Sequence, residues 1–199
     1  MKQIVLTSYN PSKALQIQTF FKGSNIQIVT QGEKGVIGEA VEDGDSLEDN
    51  ARKKIAFARA QLPDAILMAD DTGLFIPACN GDPGIQAAYW GGEHLSVLER
   101  MQYCLSRLEG ANDRRATFRT VIILSFPSGE EQVFVGEVQG TMLEKPRVSP
   151  EPKMPYSALF VPEESKLSWA EMTTEEENTR SHRGKALRQV KDFFEGVGH

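Results

Sequence analysis

The chain has 199 residues, of which 40% are hydrophobic, so it can bury the core of one globular domain. Its net charge of −6 excludes a broad cationic surface for DNA or RNA polymers, and no apolar run is long enough to cross a membrane. No signal-peptide pattern opens the chain, and Cys79 and Cys104 lack metal-ligand spacing. We therefore expect a cytoplasmic protein whose two cysteines are reduced core residues.

The first 30 residues predict a strand, a helix and a second strand. Residues 4–6 are a short apolar run, and Asn10 then stands as a helix N-cap directly before Pro11. This pair predicts a helix from residue 11 to about residue 22. Residues 26–30 alternate between apolar and polar side chains, which predicts the second strand.

A long amphipathic helix is predicted after the glycine-rich loop at 32–45. Ser46 and Asp49 have the spacing of a capping box with the shorter acid, which places the helix start at Ser46. Apolar residues then recur at helical spacing along one face, at Leu47, Ala51, Ile55, Ala58 and Leu62.

Two adjacent acids, Asp70 and Asp71, follow the apolar run 65–69. We expect strands at 65–69 and 74–76, with the two acids in the turn between them. Adjacent carboxylates repel each other unless a positive partner such as a divalent metal joins them. The alternative is an ordinary solvated turn. Residues 71–73 also match the tripeptide of aspartic proteases, but that chemistry needs two such acids and the chain has one copy.

The rest of the chain predicts further helices and strands. Apolar residues between 95 and 108 recur at helical spacing, and residues 116–126 and 132–138 are typical of two long strands. The prolines of residues 145–155 predict an irregular segment, and Ser181 begins a last helix. Together the pattern predicts an α/β fold with a mixed sheet, as one domain over residues 1–199.

One candidate site lies at residues 7–13, where a strand leads into the start of a helix. Free backbone N–H groups and the helix dipole favour phosphate at such a position, and Lys13 adds a full charge. The alternative is that Asn10 is only a helix cap. The chain contains neither a Walker loop nor a dinucleotide-binding fingerprint.

A second candidate site combines Glu42 with Asp70 and Asp71. These three hard oxygen donors would suit Mg²⁺ beside substrate phosphates if the fold brings them together. Lys54 lies at the edge of the apolar stripe of its predicted helix, from which it could reach into a cleft. The alternative for Lys54 is a solvated charge run at 52–54.

The third candidate group is His182, Arg183 and Lys185, directly after the predicted N-cap at Ser181. Cations in a first helical turn face the positive end of the helix dipole, which costs about 0.3–1 kcal/mol for each charge. Such a local conflict either marks a functional site or means that these residues pair with the glutamates at 175–177.

Four segments resemble, in order, the motifs of the inosine/xanthosine triphosphate pyrophosphatase family. They are residues 8–13 (SYNPSK), residues 42–54, residues 70–85 (from DDTGL to NGDPGI) and residues 181–187 (SHRGKAL). The last of these matches the family motif almost letter for letter, and the resemblance spans nearly the whole chain. It implies an elongated mixed sheet with flanking helices, two lobes around a central cleft, and a homodimer.

The same resemblance implies Mg²⁺-dependent attack of water on a nucleoside triphosphate, giving a monophosphate and pyrophosphate. Asp71 would be the catalytic carboxylate, and Glu42, Asp70 and Asp71 would hold Mg²⁺. The substrate-binding residues would be Ser8, Asn10, Lys13, Lys54, Tyr156, His182 and Arg183. Among them, Asn10, Lys13 and Lys54 would hold the triphosphate, and His182 and Arg183 would meet the purine.

The chain departs from the family pattern mainly around the base. Met154 replaces the aromatic residue that stacks on the base, Pro155 replaces a glycine, and Ser157 replaces an acid. Glu177 stands where the family has a lysine. Departures elsewhere are Gln16, Asp49 and Tyr89. We therefore expect altered base selectivity. The alternatives are a nucleotide-binding relative without turnover and a hydrolase of another phosphoanhydride.

Overall fold

The structure is a computed structural model that describes residues 1–196. Its strands are β1 (Lys2–Leu6), β2 (Ile26–Thr30), β3 (Ile66–Phe75), β4 (Pro83–Gly84), β5 (Arg115–Ser125), β6 (Glu131–Met142) and β7 (Phe160–Pro162). Its α-helices are α1 (Pro11–Phe21), α2 (Leu47–Arg59), α3 (Val97–Arg107), α4 (Thr174–Arg180) and α5 (His182–Glu195). Along the described residues, every helix is too short or too polar to cross a lipid bilayer.

The strands form one mixed sheet in the order β2-β1-β3-β5-β6-β7, and β4 pairs with the end of β3. β1 runs parallel to both β2 and β3. The pairs β3–β5, β5–β6 and β6–β7 are antiparallel. The predicted α/β class with a mixed sheet and flanking helices is therefore confirmed.

The helices begin where their capping residues predict. Asn10 Oδ1 accepts hydrogen bonds from the backbone N–H groups of Ser12 and Lys13, at 3.0 and 3.3 Å. Ser46 Oγ accepts from the backbone N–H of Asp49 at 3.0 Å. Ser181 Oγ caps α5 in the same way. These bonds satisfy N–H groups that have no partner within the helix.

The core consists of three clusters of buried apolar residues. Two of them lie on opposite faces of the sheet in one lobe, and the third fills a second lobe. α1 and α5 pack on one face of the sheet around Ile4, Leu6, Ile17, Met68, Leu187 and Val190. α2 packs on the opposite face around Val5, Ala51, Ile55, Leu67 and Ile123. A separate cluster fills the lobe around α3 and the far ends of the long strands, and it includes Leu74, Met101, Cys104, Leu108 and Phe160. Both cysteines are buried free thiols.

The turn predicted at Asp70 and Asp71 is wrong. β3 continues from Ile66 to Phe75 without interruption, and the two acids pair with Ile122 and Val121 of β5. A long neighbouring strand supplies a partner for each backbone group, so the chain gains nothing by turning. Because successive residues of a strand point to opposite faces, the two carboxylates leave the strand in opposite directions.

The start of α5 lies directly against β6, and glycine makes this contact possible. A Cβ atom on Gly136 would lie 1.9 Å from the carbonyl oxygen of His182 and 2.8 Å from the backbone nitrogen of Ala186. A Cβ atom on Gly184 would lie 1.9 Å from the carbonyl oxygen of Asn178. The first turn of α5 is therefore fixed by backbone contacts on two sides.

We predict that Gly136→Ala lowers the free energy of unfolding by about 3 kcal/mol, because the new methyl group meets backbone atoms that no side-chain rotation can move. Urea denaturation measures the change. The control is Gly32→Ala, whose methyl group meets the movable ring of Tyr9 at 3.2 Å, and it should cost less than about 1 kcal/mol. Equal stability of the Gly136 variant and the unmodified protein would contradict this packing.

Candidate active site

A cavity of 270 Å³ opens between the two lobes. This volume is close to the lower end of the range of roughly 300–1,000 Å³ for small-molecule sites. Nine of the residues predicted from the sequence line it: Ser8, Asn10, Lys13, Glu42, Lys54, Asp71, Tyr156, His182 and Arg183. The fold therefore brings together residues that lie more than 170 positions apart in the chain.

One region of the cavity, here called the lysine end, consists of Glu42, Lys54 and Asp71. Lys54 Nζ lies 2.6 Å from Asp71 Oδ1 and 2.9 Å from Glu42 Oε2. Burial alone would lower the pKa of Lys54, but the two carboxylates raise it above its ordinary value. Lys54 therefore stays charged and holds both acids at one place, and the solvated-run alternative is wrong for this residue.

Asp71 is the least satisfied acid at the lysine end. Its Oδ2 atom is buried and has no hydrogen-bond partner among residues 1–196. Burial raises the pKa of the Asp71 carboxyl, and the opposing charge of Lys54 limits the shift. Asp71 thus offers an unused carboxylate oxygen to a ligand, since buried polar atoms rarely remain unpaired.

Asp70 does not join Glu42 and Asp71. Its carboxylate is fully buried on the opposite face of the sheet, 2.9 Å from Lys13 Nζ and 2.8 Å from Arg183 Nε. Burial would raise the pKa of Asp70, but these two cations hold it well below its usual range. Within residues 1–196, no group of three acid, histidine or cysteine side chains is placed to hold a metal. The expected three-acid cluster therefore does not form.

Arg183 is fully buried and binds three acceptors. Besides Asp70, its guanidinium donates to Gln16 Oε1 and, at 3.2 Å, to Thr72 Oγ1. Thr72 in turn shares a 2.6 Å hydroxyl contact with Thr120. Arg183 therefore pairs with an aspartate of β3, and the alternative of a pairing with the glutamates at 175–177 is wrong for this residue. The charge of Arg183 at the start of α5 is offset by Asp70.

A second region, here called the aromatic end, consists of Phe118, Trp169 and His182. The His182 ring stacks on Phe118 with centroids 4.8 Å apart and planes 14° apart, and Trp169 lies 6.1 Å away. Burial lowers the pKa of His182 well below its ordinary value, so the imidazole is neutral. The dipole penalty expected for a cation at this position therefore does not arise.

Tyr156 and the segment before it form the wall beside the aromatic end. The Tyr156 hydroxyl donates to the carbonyl oxygen of Ala87 at 2.7 Å, and burial raises its pKa. Met154 and Pro155 line the cavity, and Ser157 Oγ links the carbonyl oxygen of Met154 to the backbone N–H of Glu151. Ser157 stands where the family pattern has an acid, and its hydroxyl makes hydrogen bonds within its own loop.

The sequence analysis assigned no role in this site to three residues that contribute to it, although it noted Gln16 as a departure from the family pattern. Gln16 accepts from Arg183 and donates to Ser181 Oγ at 3.3 Å, which joins α1 to the start of α5. Phe118 and Trp169 form the aromatic end but lie in segments without a recognisable motif. Only Gln16 could have been found from the sequence, because a polar residue on the apolar face of a predicted helix indicates a buried polar contact.

We predict that Arg183→Lys lowers the free energy of unfolding by about 3 kcal/mol. A single ammonium group cannot reach all three acceptors, so buried polar atoms around Asp70 lose their partner. Urea denaturation measures this loss. The matched control is Arg119→Lys on the exposed side of β5, which should change stability by less than about 0.5 kcal/mol. Equal effects at the two positions would contradict a role of Arg183 in the buried network.

Comparisons with known proteins agree with this architecture. The profile of the Ham1 family matches residues 4–193. The chain is 36% identical to the dITP/XTP pyrophosphatase of Clostridium perfringens, with 99% of each chain covered. It is 34% identical to the dITP/XTP pyrophosphatase of Caldanaerobacter subterraneus, with 98% of this chain and 96% of the relative covered.

Solved structures match over the same length. A HAM1 protein from Coxiella burnetii superposes with a TM-score of 0.85 at 31% identity, covering 98% of this chain and 100% of the other. The Staphylococcus aureus Ham1 protein superposes with a TM-score of 0.82 at 30% identity, covering 99% of this chain and 100% of the other. The resemblance seen in the sequence motifs is confirmed, and the chain belongs to the Ham1 family.

Proposed function

We propose that this chain is a Mg²⁺-dependent hydrolase of aberrant purine nucleoside triphosphates, with altered base selectivity, that releases a monophosphate and pyrophosphate. One observation carries the proposal: buried Lys54 holds Glu42 and Asp71 together in the cavity, and Asp71 keeps one oxygen unpaired among residues 1–196. The relatives named dITP/XTP pyrophosphatase support the same reaction.

The residues at the lysine end fit a magnesium ion. Mg²⁺ is usually held by one or two carboxylates together with substrate phosphates and water, so a third acid is not needed. Glu42 and Asp71 supply those two carboxylates, and Oδ2 of Asp71, which has no partner in the described part of the chain, is available as a ligand atom. Asp70, first expected as a third ligand, is assigned instead to the ion pairs with Lys13 and Arg183. When bound, the ion supplies positive charge against the phosphate oxygens.

The catalytic role falls to Asp71. Its raised pKa makes the carboxylate a stronger base, and it can orient a water molecule and accept its proton as that water attacks phosphorus. Lys54 fixes the position of the carboxylate through the 2.6 Å contact and adds positive charge beside the phosphates. Hydrolysis between the α- and β-phosphates then gives the monophosphate and pyrophosphate.

The remaining residues position the two parts of the substrate. Ser8, Asn10 and Lys13 lie at the start of α1, where the positive end of the helix dipole and the charge of Lys13 favour the triphosphate. The backbone N–H groups of Ser12 and Lys13 are already bound by Asn10 and are not free for phosphate. The neutral ring of His182 meets the purine. Arg183 and Tyr156 act mainly as positioning residues, because their polar groups already bind protein acceptors.

Several broader features are part of the same proposal. We propose that residues 1–199 form one domain, that the protein is a homodimer, and that it works in the cytoplasm. The near-complete coverage of the relatives by this chain supports the single domain. The cavity, lined by both lobes, is sized for a small molecule and supports a nucleotide rather than a nucleic-acid polymer.

We predict that, with Mg²⁺, at least one purine triphosphate of a panel including ITP, XTP and dITP yields one pyrophosphate for each monophosphate. Removing divalent metal with EDTA should abolish turnover, and adding Mg²⁺ should restore it. Product analysis by chromatography measures both. Release of inorganic phosphate instead would indicate a different hydrolase. Tight nucleotide binding without any turnover would indicate the noncatalytic alternative.

We predict that Asp71→Asn lowers kcat by roughly 10²–10⁴-fold, because the amide cannot accept the proton of the attacking water. The fold should persist, since the amide keeps the size of the carboxylate. The matched control is Asp64→Asn, an exposed acid before β3, which should leave kcat unchanged. Retained activity in the Asp71 variant would assign the base to another residue.

A further inference from the structure

Glu177 is a buried acid without a cation. The side chain belongs to the first turn of α4, is 6% exposed, and lines the cavity. Among residues 1–196, no lysine, arginine or histidine forms an ion pair with it. The cation that acts on it most strongly is Arg183. Three of the five N–H donors of Arg183 bind Asp70, Gln16 and Thr72.

Such a carboxylate is costly unless a ligand satisfies it. Removing a charge from water without a partner is unfavourable, so a buried acid pairs with donors or takes up a proton. Burial raises the pKa of Glu177 to about 7 and Glu151 adds to the shift, while Arg183 and the neutral side-chain amide of Gln16 oppose it. A ligand that brings N–H donors would remove this cost, because an ionised carboxylate only accepts hydrogen bonds.

Two further groups in the same cavity lack partners. His182 Nδ1 and Trp169 Nε1 are buried and have no hydrogen bond among the described residues, although both residues are at least nine-tenths buried. The indole nitrogen can only donate, whereas the neutral imidazole nitrogen either donates or accepts according to its tautomer. The flat ring of Phe118 stacks on the His182 ring. A flat heterocycle with both donors and acceptors matches this set.

We infer that Glu177 is a specificity-determining residue that accepts a hydrogen bond from an exocyclic amino group of the purine base. This inference rests on the proposed function and specifies its altered base selectivity: a preference for purine triphosphates whose base carries an exocyclic amino group. A base that presents only an oxo group towards Glu177 would place an acceptor against the ionised carboxylate, which then gains no donor from the base. Discrimination by unpaired buried groups is much stronger than discrimination by shape.

The test compares matched substrates that differ at one position of the base. dGTP and dITP differ in the 2-amino group, and ATP and ITP differ at position 6. For the unmodified protein, kcat/KM should favour the amino member in at least one pair, by about tenfold or more. Glu177→Lys should reverse or remove this preference, and Glu177→Gln should reduce it.

The matched control is Glu175→Lys, which makes the same charge change at an exposed position of the same helix and should leave both ratios unchanged. If Glu177→Lys does not fold, as judged by circular dichroism, the isosteric Glu177→Gln variant still tests the inference. Ratios of one or less in both pairs, or ratios that do not respond to either Glu177 variant, would overturn it.

Binding separates this inference from the proposed function. Calorimetry of the same four nucleotides without divalent metal gives dissociation constants that do not depend on turnover. The inference would stand and the proposed function would be rejected if two results came together. The protein would bind the amino-bearing nucleotides more tightly, with Glu177→Gln reducing this preference, and it would hydrolyse none of the four nucleotides. Hydrolysis of all four nucleotides with no effect of Glu177 on either ratio would keep the function and reject the inference.

Discussion

Successive residues of a β-strand point to opposite faces of the sheet, and this constraint separates the two adjacent acids of β3. Asp70 leaves the strand towards α1 and α5, where Lys13 and Arg183 neutralise it. Asp71 leaves it towards α2, where Lys54 binds it beside the cavity. Because each carboxylate has its own cations, one strand supplies both a buried structural charge and a charge available to a ligand.

On the face of the sheet where Asp70 is buried, Arg183 connects this acid to the rest of the site. Its guanidinium joins Gln16 of α1, Asp70 and Thr72 of β3, and the first turn of α5. A buried ion network is weak evidence for stability, because desolvation offsets much of its attraction, but it fixes geometry. His182 is the preceding residue, so the same network sets where its ring meets Phe118. The start of α1 and the aromatic end are thereby held in one arrangement.

Local signals predicted much of this fold, and the failures have a common physical cause. Asn10 and Ser46 marked the starts of α1 and α2, because a cap acts within three residues of itself. The turn expected at Asp70 and Asp71 was wrong because β5, some 50 residues later, pairs with β3 throughout. Pairing between distant strands overrides local turn preference, and sequence spacing does not reveal it.

The distribution of charge along the cavity constrains how a nucleotide can enter. Asp71 responds to Lys54 and Lys13, whereas Glu177 responds to Arg183 and Glu151, so the two acids lie in different electrostatic surroundings. A polyphosphate beside Glu177 would meet a like charge in a poorly solvated place, where repulsion is strong. The same polyphosphate beside Lys54 and the start of α1 meets a charged lysine and the positive end of the helix dipole. Because the His182 ring is neutral, it adds no positive charge that would attract phosphates to the aromatic end. Charge alone therefore favours a single orientation, with the phosphates at the lysine end and the base at the aromatic end.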